Sequence, residues 1–143
     1  MRFHLVDRVT LWRPGREAEG RKNVALCEPF FGDHFPLRPV MPGMLMLEGM
    51  QQLSAALVEE GWAGRGSPMA RLAFIEDLKF REMVRPGDTL TYRVEVIESD
   101  ACAARVSGRA MLGEQTAASC RMEFRLEGEA PAERRAKREA MLR

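Results

Sequence analysis

Histidine is scarce in this sequence: only His4 and His34 occur in 143 residues, so any imidazole chemistry is confined to two positions. Cysteine is almost as rare. Cys27, Cys102 and Cys120 are odd in number and widely spaced, with no CxxC pair. That pattern excludes a disulfide framework and a thiolate ligand set, and predicts reduced, half-buried strand residues in a cytoplasmic protein. Nothing near them is built to lower a thiol pKa. No sign of charge dominates, since the net charge is +1. A global basic field for nucleic acid and an acidic, disordered chain are both excluded. Long apolar runs are missing too. The longest, Met41 to Leu47, is interrupted by Pro42 and Gly43 and is too short to span a bilayer. The first ten residues, MRFHLVDRVT, carry charge instead of the apolar core of a signal peptide.

What is present fits one soluble globular domain with one core: 45% apolar and 30% charged residues. A single segment, from about Pro42 to Glu60, reads as a long buried helix. Met44, Leu45, Leu47, Met50, Leu53, Ala56 and Leu57 cover much of its circumference, and Gly61 and Gly64 end it. A flexible connection is expected from Ala63 to Pro68.

Most of the remainder alternates like β-strand. Extended stretches are expected around Phe3, Leu5 and Val9, around Val24 and Leu26, and from Leu72 to Phe80. Three more run from Leu90 to Val96, from Ala104 to Ala110 and from Cys120 to Leu126, with turns at Arg85–Asp88 and Gly113–Glu114. One apolar helix among about six strands predicts an α+β domain with an antiparallel sheet curled around the helix. The domain is expected to occupy residues 1–127, and residues 128–143 form a charged tail, a solvated helix or a frayed end.

His4 lies in the first extended stretch without carboxylate neighbours, as an ordinary strand or surface histidine would. His34 stands in EPFFGDHFPLRPVMPG, where four prolines and two glycines fix the backbone just before the helix. A general base needs such fixed geometry. Glu48 falls in the second turn of the apolar helix, where a charge is costly unless used or paired. Gln52, four residues on, shares its face and can hold the carboxyl. The alternative for Glu48, Gln51, Gln52 and Glu59 is a plain polar stripe on an amphipathic helix. The helix N-terminus adds unpaired N–H groups at Gly43, where a carbonyl would be polarised. Gly43 also allows a ligand to approach the backbone closely.

The string from Glu28 to Gln52, EPFFGDHFPLRPVMPGMLMLEGMQQ, closely resembles the signature of the 3-hydroxyacyl-(acyl carrier protein) dehydratases of the FabA and FabZ group, which have the hotdog fold. HLVDRV, GRKNVALCEPFF, DLKFREMVRPGDTL and VSGRAMLGEQTAASCRMEF resemble further segments of the same family, in the same order. The resemblance implies a long helix wrapped by a curved antiparallel sheet. It implies a homodimer pairing His34 of one subunit with Glu48 of the other, with further assembly to a hexamer as a trimer of dimers.

By the same resemblance, His34 removes the α-proton and Glu48 protonates the departing 3-hydroxyl. The N–H of Gly43 holds the thioester carbonyl and Gln52 orients Glu48, while Pro42 and Phe35 belong to the substrate-binding surroundings. The product is the trans-2-enoyl thioester, formed without metal or organic cofactor. Glu at position 48 favours the type that dehydrates without isomerising. An acidic acyl carrier protein would dock near Lys79, Arg81 and Arg85. Two positions depart from the family: Asp33 replaces the glycine usual before the histidine, and Leu37 stands where glycine is common. They leave the acyl pathway open, housekeeping or specialised. The competing readings are a hotdog acyl thioesterase and a non-catalytic hotdog subunit that binds acyl groups or their carrier.

Overall fold

The apolar residues after Pro42 recur at three- and four-residue spacing and fold as the helix α1 (Gly43–Gly61). The computed structural model describes residues 3–62, 64, 66 and 68–143. Pro42 is the N-cap of α1, one position earlier than a first-turn proline. Met46, Met50, Leu53, Leu57 and Val58 are buried. Full burial of each such side chain is worth about 1.5–3 kcal/mol. Met44 is exposed, and Glu48, Gln51 and Gln52 are half-buried. The sheet therefore encloses α1 on one side, and a polar stripe faces outward.

The sheet has six strands: β1 (Arg8–Arg13), β2 (Glu17–Asn23), β3 (Met69–Phe80), β4 (Thr89–Ser99), β5 (Ala103–Leu112) and β6 (Gln115–Glu127). Their order is β1-β2-β4-β5-β6-β3, and every neighbouring pair is antiparallel. β2 through β6 all touch α1, so the sheet curls around it as expected. The inward residues alternate: Leu90, Tyr92 and Val94 on β4, Ala104, Val106 and Ala110 on β5, Ala118, Cys120, Met122 and Phe124 on β6. Register shifts in β3, β4 and β6 supply the bending that wrapping requires. Helix and sheet meet closely at Gly49. A Cβ there would lie 2.4 Å from the Tyr92 hydroxyl oxygen, so only glycine fits under that ring.

Three sequence expectations are corrected. The first two strands are not centred on Phe3–Val9 and Val24–Leu26; they form the hairpin β1–β2, closed by Pro14 and Gly15. Their pattern escaped reading because the buried positions of β2 are Ala18, Gly20 and Lys22, none of them a large apolar side chain. Cys27 and Cys102 are exposed and lie outside the strands, and only Cys120 is a buried strand residue. Its thiol is pushed up to about 11 by burial. The end of the chain folds as α2 (Ala132–Leu142), whose Arg134 and Arg138 ion-pair with buried Glu59 at 2.7 and 3.3 Å. That helix is packed, not merely solvated. Within the expected flexible connection, Ala63, Arg65 and Ser67 lie outside the described residues.

Candidate active site

His34 follows a 3-10 turn (Pro29–Gly32) that begins with a proline and buries Phe31. The Pro-rich sequence holds the histidine by backbone contacts. The His34 N–H donates to the Phe30 carbonyl at 3.0 Å, and the Val40 N–H donates to the His34 carbonyl at 3.0 Å. The ring is fixed from the same residue: Nδ1 lies 2.7 Å from the Val40 carbonyl oxygen. A carbonyl only accepts, so Nδ1 carries the proton and Nε2 of the neutral ring keeps its lone pair. The ring also stacks on exposed Phe35, with centroids 4.3 Å apart.

The departures beside His34 prove benign for the backbone. Asp33 has φ −106° and ψ −22°, a conformation open to any residue, so no glycine is needed there. Leu37 is fully exposed.

Glu48 sits on the outward stripe of α1, half-buried. Its Oε1 accepts a hydrogen bond from Gln52 Nε2 at 3.0 Å. Gln52 is held in turn by the N-terminal segment: Nε2 donates to the Phe3 carbonyl at 3.2 Å, and Oε1 accepts from the Leu5 N–H at 3.4 Å. The carboxylate thus has a fixed partner that is itself fixed. The backbone of Phe3, Leu5 and Val40 was beyond sequence reading, because contacts through main-chain atoms leave no mark in residue type.

Gly43 opens α1 directly after Pro42, where first-turn N–H groups lack acceptors within the helix. A Cβ at Gly43 would lie 3.0 Å from the Phe80 ring. Close packing by β3 is thus a second reason for glycine at this point.

Two cavities flank Glu48. One, of about 190 Å³, lies between α1 and α2 and is lined by Gln51, Gln52, Arg134, Lys137 and Met141. The other, of about 430 Å³, is lined by Phe3, Gln52, Pro131 and Lys137. His34 lines neither. Among the described residues no hydrogen bond joins His34 to Glu48, and the two side chains do not share either of these cavities. Lys79, Arg81 and Arg85 are exposed around the end of β3, and no ion pair among the described residues engages them. No helix among the described residues is long and apolar enough to cross a membrane. No group of three His, Cys, Asp or Glu side chains there is placed to hold a metal ion.

The FabA-like domain family matches residues 1–121. A 3-hydroxyacyl-[acyl-carrier-protein] dehydratase FabZ of Desulforamulus reducens is 41% identical over 124 residues, covering 85% of this chain and 85% of that protein. The FabZ of Rickettsia massiliae is 47% identical over 94 residues, 66% of this chain and 65% of that protein. Among solved structures, the dehydratase heterocomplex ApeI:P of Xenorhabdus doucetiae aligns with TM-score 0.60 and 20% identity, over 78% of this chain and 88% of that one. A hypothetical thioesterase of Streptococcus pneumoniae with coenzyme A aligns with TM-score 0.67 and 10% identity, over 87% and 90%. At such identities these two establish the shared hotdog fold and nothing finer.

Proposed function

This chain belongs to the FabA-like family, and from that premise we propose that His34 and Glu48 are the base and acid of its reaction. The reaction is dehydration of a 3-hydroxyacyl-(acyl carrier protein) thioester in fatty acid biosynthesis.

The observation that carries the proposal is the Val40 carbonyl on His34 Nδ1, which leaves Nε2 as a directed base. Nε2 takes the α-proton of the substrate, and the electron pair of that C–H bond becomes the new C=C bond. The C–O bond at the 3-position breaks as the Glu48 carboxyl gives its proton to the departing hydroxyl, and water leaves. The His34 imidazolium then returns its proton to the Glu48 carboxylate through solvent, which restores both groups. The thioester carbonyl acidifies the α-proton, and the N–H groups opening α1 at Gly43 are suited to receive the charge that builds on its oxygen. Gln52 keeps the Glu48 carboxyl aimed. Pro42 and the Phe35 ring shape the approach to this N-terminus. The elimination calls on no metal or organic cofactor.

Because His34 lines neither of the cavities that Glu48 lines, the complete site is proposed to need a second copy. β3 supports that reading: it is a sheet edge twelve residues long, with Phe74, Ile75 and Phe80 exposed. An apolar, unpaired edge is a ready template for another strand. Assembly of such dimers into a hexamer, docking of an acidic carrier protein on Lys79, Arg81 and Arg85, and a cytoplasmic location complete the proposal.

The test is hydration of a 2-enoyl thioester, the reverse reaction, followed by loss of its ultraviolet absorbance. His34→Ala and Glu48→Gln are expected to lower the rate at least a hundredfold in protein that still folds and dimerises. Retained turnover in either variant would remove that residue from the mechanism.

A further inference from the structure

Lys22 is the one lysine buried among the described residues, and it is tied to the segment that delivers His34. Its side chain, 6% exposed, places Nζ 2.5 Å from Glu28 Oε1 and 3.5 Å from Asp7 Oδ1. Asp7 is itself fixed to β2: its Oδ2 accepts the Asn23 N–H at 2.7 Å, and its own N–H donates to the Arg21 carbonyl at 2.7 Å. Glu28 immediately precedes the 3-10 turn. Its carbonyl accepts the Phe31 N–H at 3.1 Å, and the turn ends where His34 donates to Phe30.

Resting on the dehydratase reading, we infer that Lys22 and Glu28 are positioning residues that set where His34 stands relative to the substrate. β2 is an interior strand, paired on both sides with β1 and β4, so Lys22 rests on rigid ground. The turn itself belongs to no strand. The side chain of its buried anchor, Phe31, is apolar and makes no directional bond, whereas the ion pair fixes one point of the turn against the sheet. A buried ion pair contributes little net stability, because desolvation offsets most of its attraction. Its use here is geometric: proton transfer requires Nε2 within hydrogen-bond reach of the α-carbon's proton, and small displacements of a base are costly in rate.

The inference is tested with Lys22→Met, Glu28→Gln and the conservative Lys22→Arg in the full chain. Val106→Ala serves as control, since it loosens the buried face of β5 without touching the turn. Lys22→Met and Glu28→Gln are expected to lower kcat at least tenfold with KM changed less than about twofold. Lys22→Arg should recover most of the loss, and Val106→Ala should keep kcat at a comparable fall in melting temperature. In a His34→Ala background, Lys22→Met should lower the residual rate no further. Equal kcat losses in Lys22→Met and the control, or an undiminished effect without His34, would overturn the inference.

A readout independent of turnover separates this from failure of the dehydratase reading. With only two histidines, the ring resonances of His34 are readily assigned by exchange with the His34→Ala spectrum. Lys22→Met should broaden or split them, and Val106→Ala should not. A wild type inert on every thioester would refute the dehydratase reading, while unchanged His34 resonances in Lys22→Met would refute the positioning role.

Discussion

Gln52 joins Glu48 to the start of the chain: one amide nitrogen lies 3.0 Å from Glu48 Oε1 and 3.2 Å from the carbonyl oxygen of Phe3. The orientation of the proposed acid therefore depends on a segment that carries no chemistry of its own. Gln52→Ala is expected to lower kcat about tenfold, which corresponds to about 1.4 kcal/mol of transition-state stabilisation. Gln52→Glu should be worse, since it sets a second carboxylate against Glu48. Steady-state kinetics on an enoyl thioester decide the matter, and an unchanged kcat in Gln52→Ala would make the contact incidental.

Tyr92 offers a case where removing an atom should help. Its hydroxyl is buried against α1 with no hydrogen-bond partner among the described residues, and burial raises its pKa. An unsatisfied buried hydroxyl costs about 1–3 kcal/mol. Tyr92→Phe is therefore expected to raise stability by about 1 kcal/mol, measured as a higher urea midpoint at constant m. Gly49→Ala, which forces a methyl group against the same ring, should lower it by about 1–3 kcal/mol.

Glu59 is the point on which α2 is anchored. Its carboxylate accepts from Arg134, from Arg138 and from the Ala70 N–H at 3.0 Å. Glu59→Leu leaves the buried Arg138 guanidinium without this partner and is expected to cost about 3 kcal/mol. Deuterium exchange would show the loss as faster exchange concentrated in residues 132–142.

The β3 edge predicts the oligomeric state. Ile75→Lys and Phe74→Lys place a charge on the exposed apolar edge and should convert a dimer to monomer in sedimentation velocity. Activity should fall together with the dimer fraction if the site is shared. An active monomer would show that one chain can complete the site alone.

Thiol reactivity reads burial directly. A maleimide at neutral pH should modify Cys27 and Cys102 and leave Cys120 untouched in the folded protein. Burial raises the Cys120 thiol from 9.0 to about 11, so the folded state holds a proton that the unfolded state releases in this range. Its contribution to stability is therefore complete below pH 9 and is lost between about pH 9 and 11. Cys120→Ala should flatten that part of the stability–pH curve, and an identical curve would show that Cys120 is not its source.

Much of the architecture was legible along the chain because apolar spacing is a local property. The α1 segment, the turn after Phe80 and the alternation in β4, β5 and β6 follow from residue order alone. The hairpin β1–β2 was not legible, since Ala18, Gly20 and Lys22 face inward for reasons of space and pairing. Lys22 in particular looks like a surface residue until Glu28 and Asp7 are brought to it.

The candidate site divides the same way. His34, Glu48, Gln52 and Gly43 stand out in sequence because rigid turns, a charge in an apolar helix and a helix start are encoded within a few residues. Only the tertiary structure placed the Val40 carbonyl on the His34 ring, the Phe3 backbone on Gln52 and the Phe80 ring over Gly43. In the folded chain His34 lines neither of the cavities that Glu48 lines. The reason is physical: residue type and spacing fix what a segment can become, whereas contacts between distant segments, above all those made through backbone atoms common to every residue, exist only once the chain has folded.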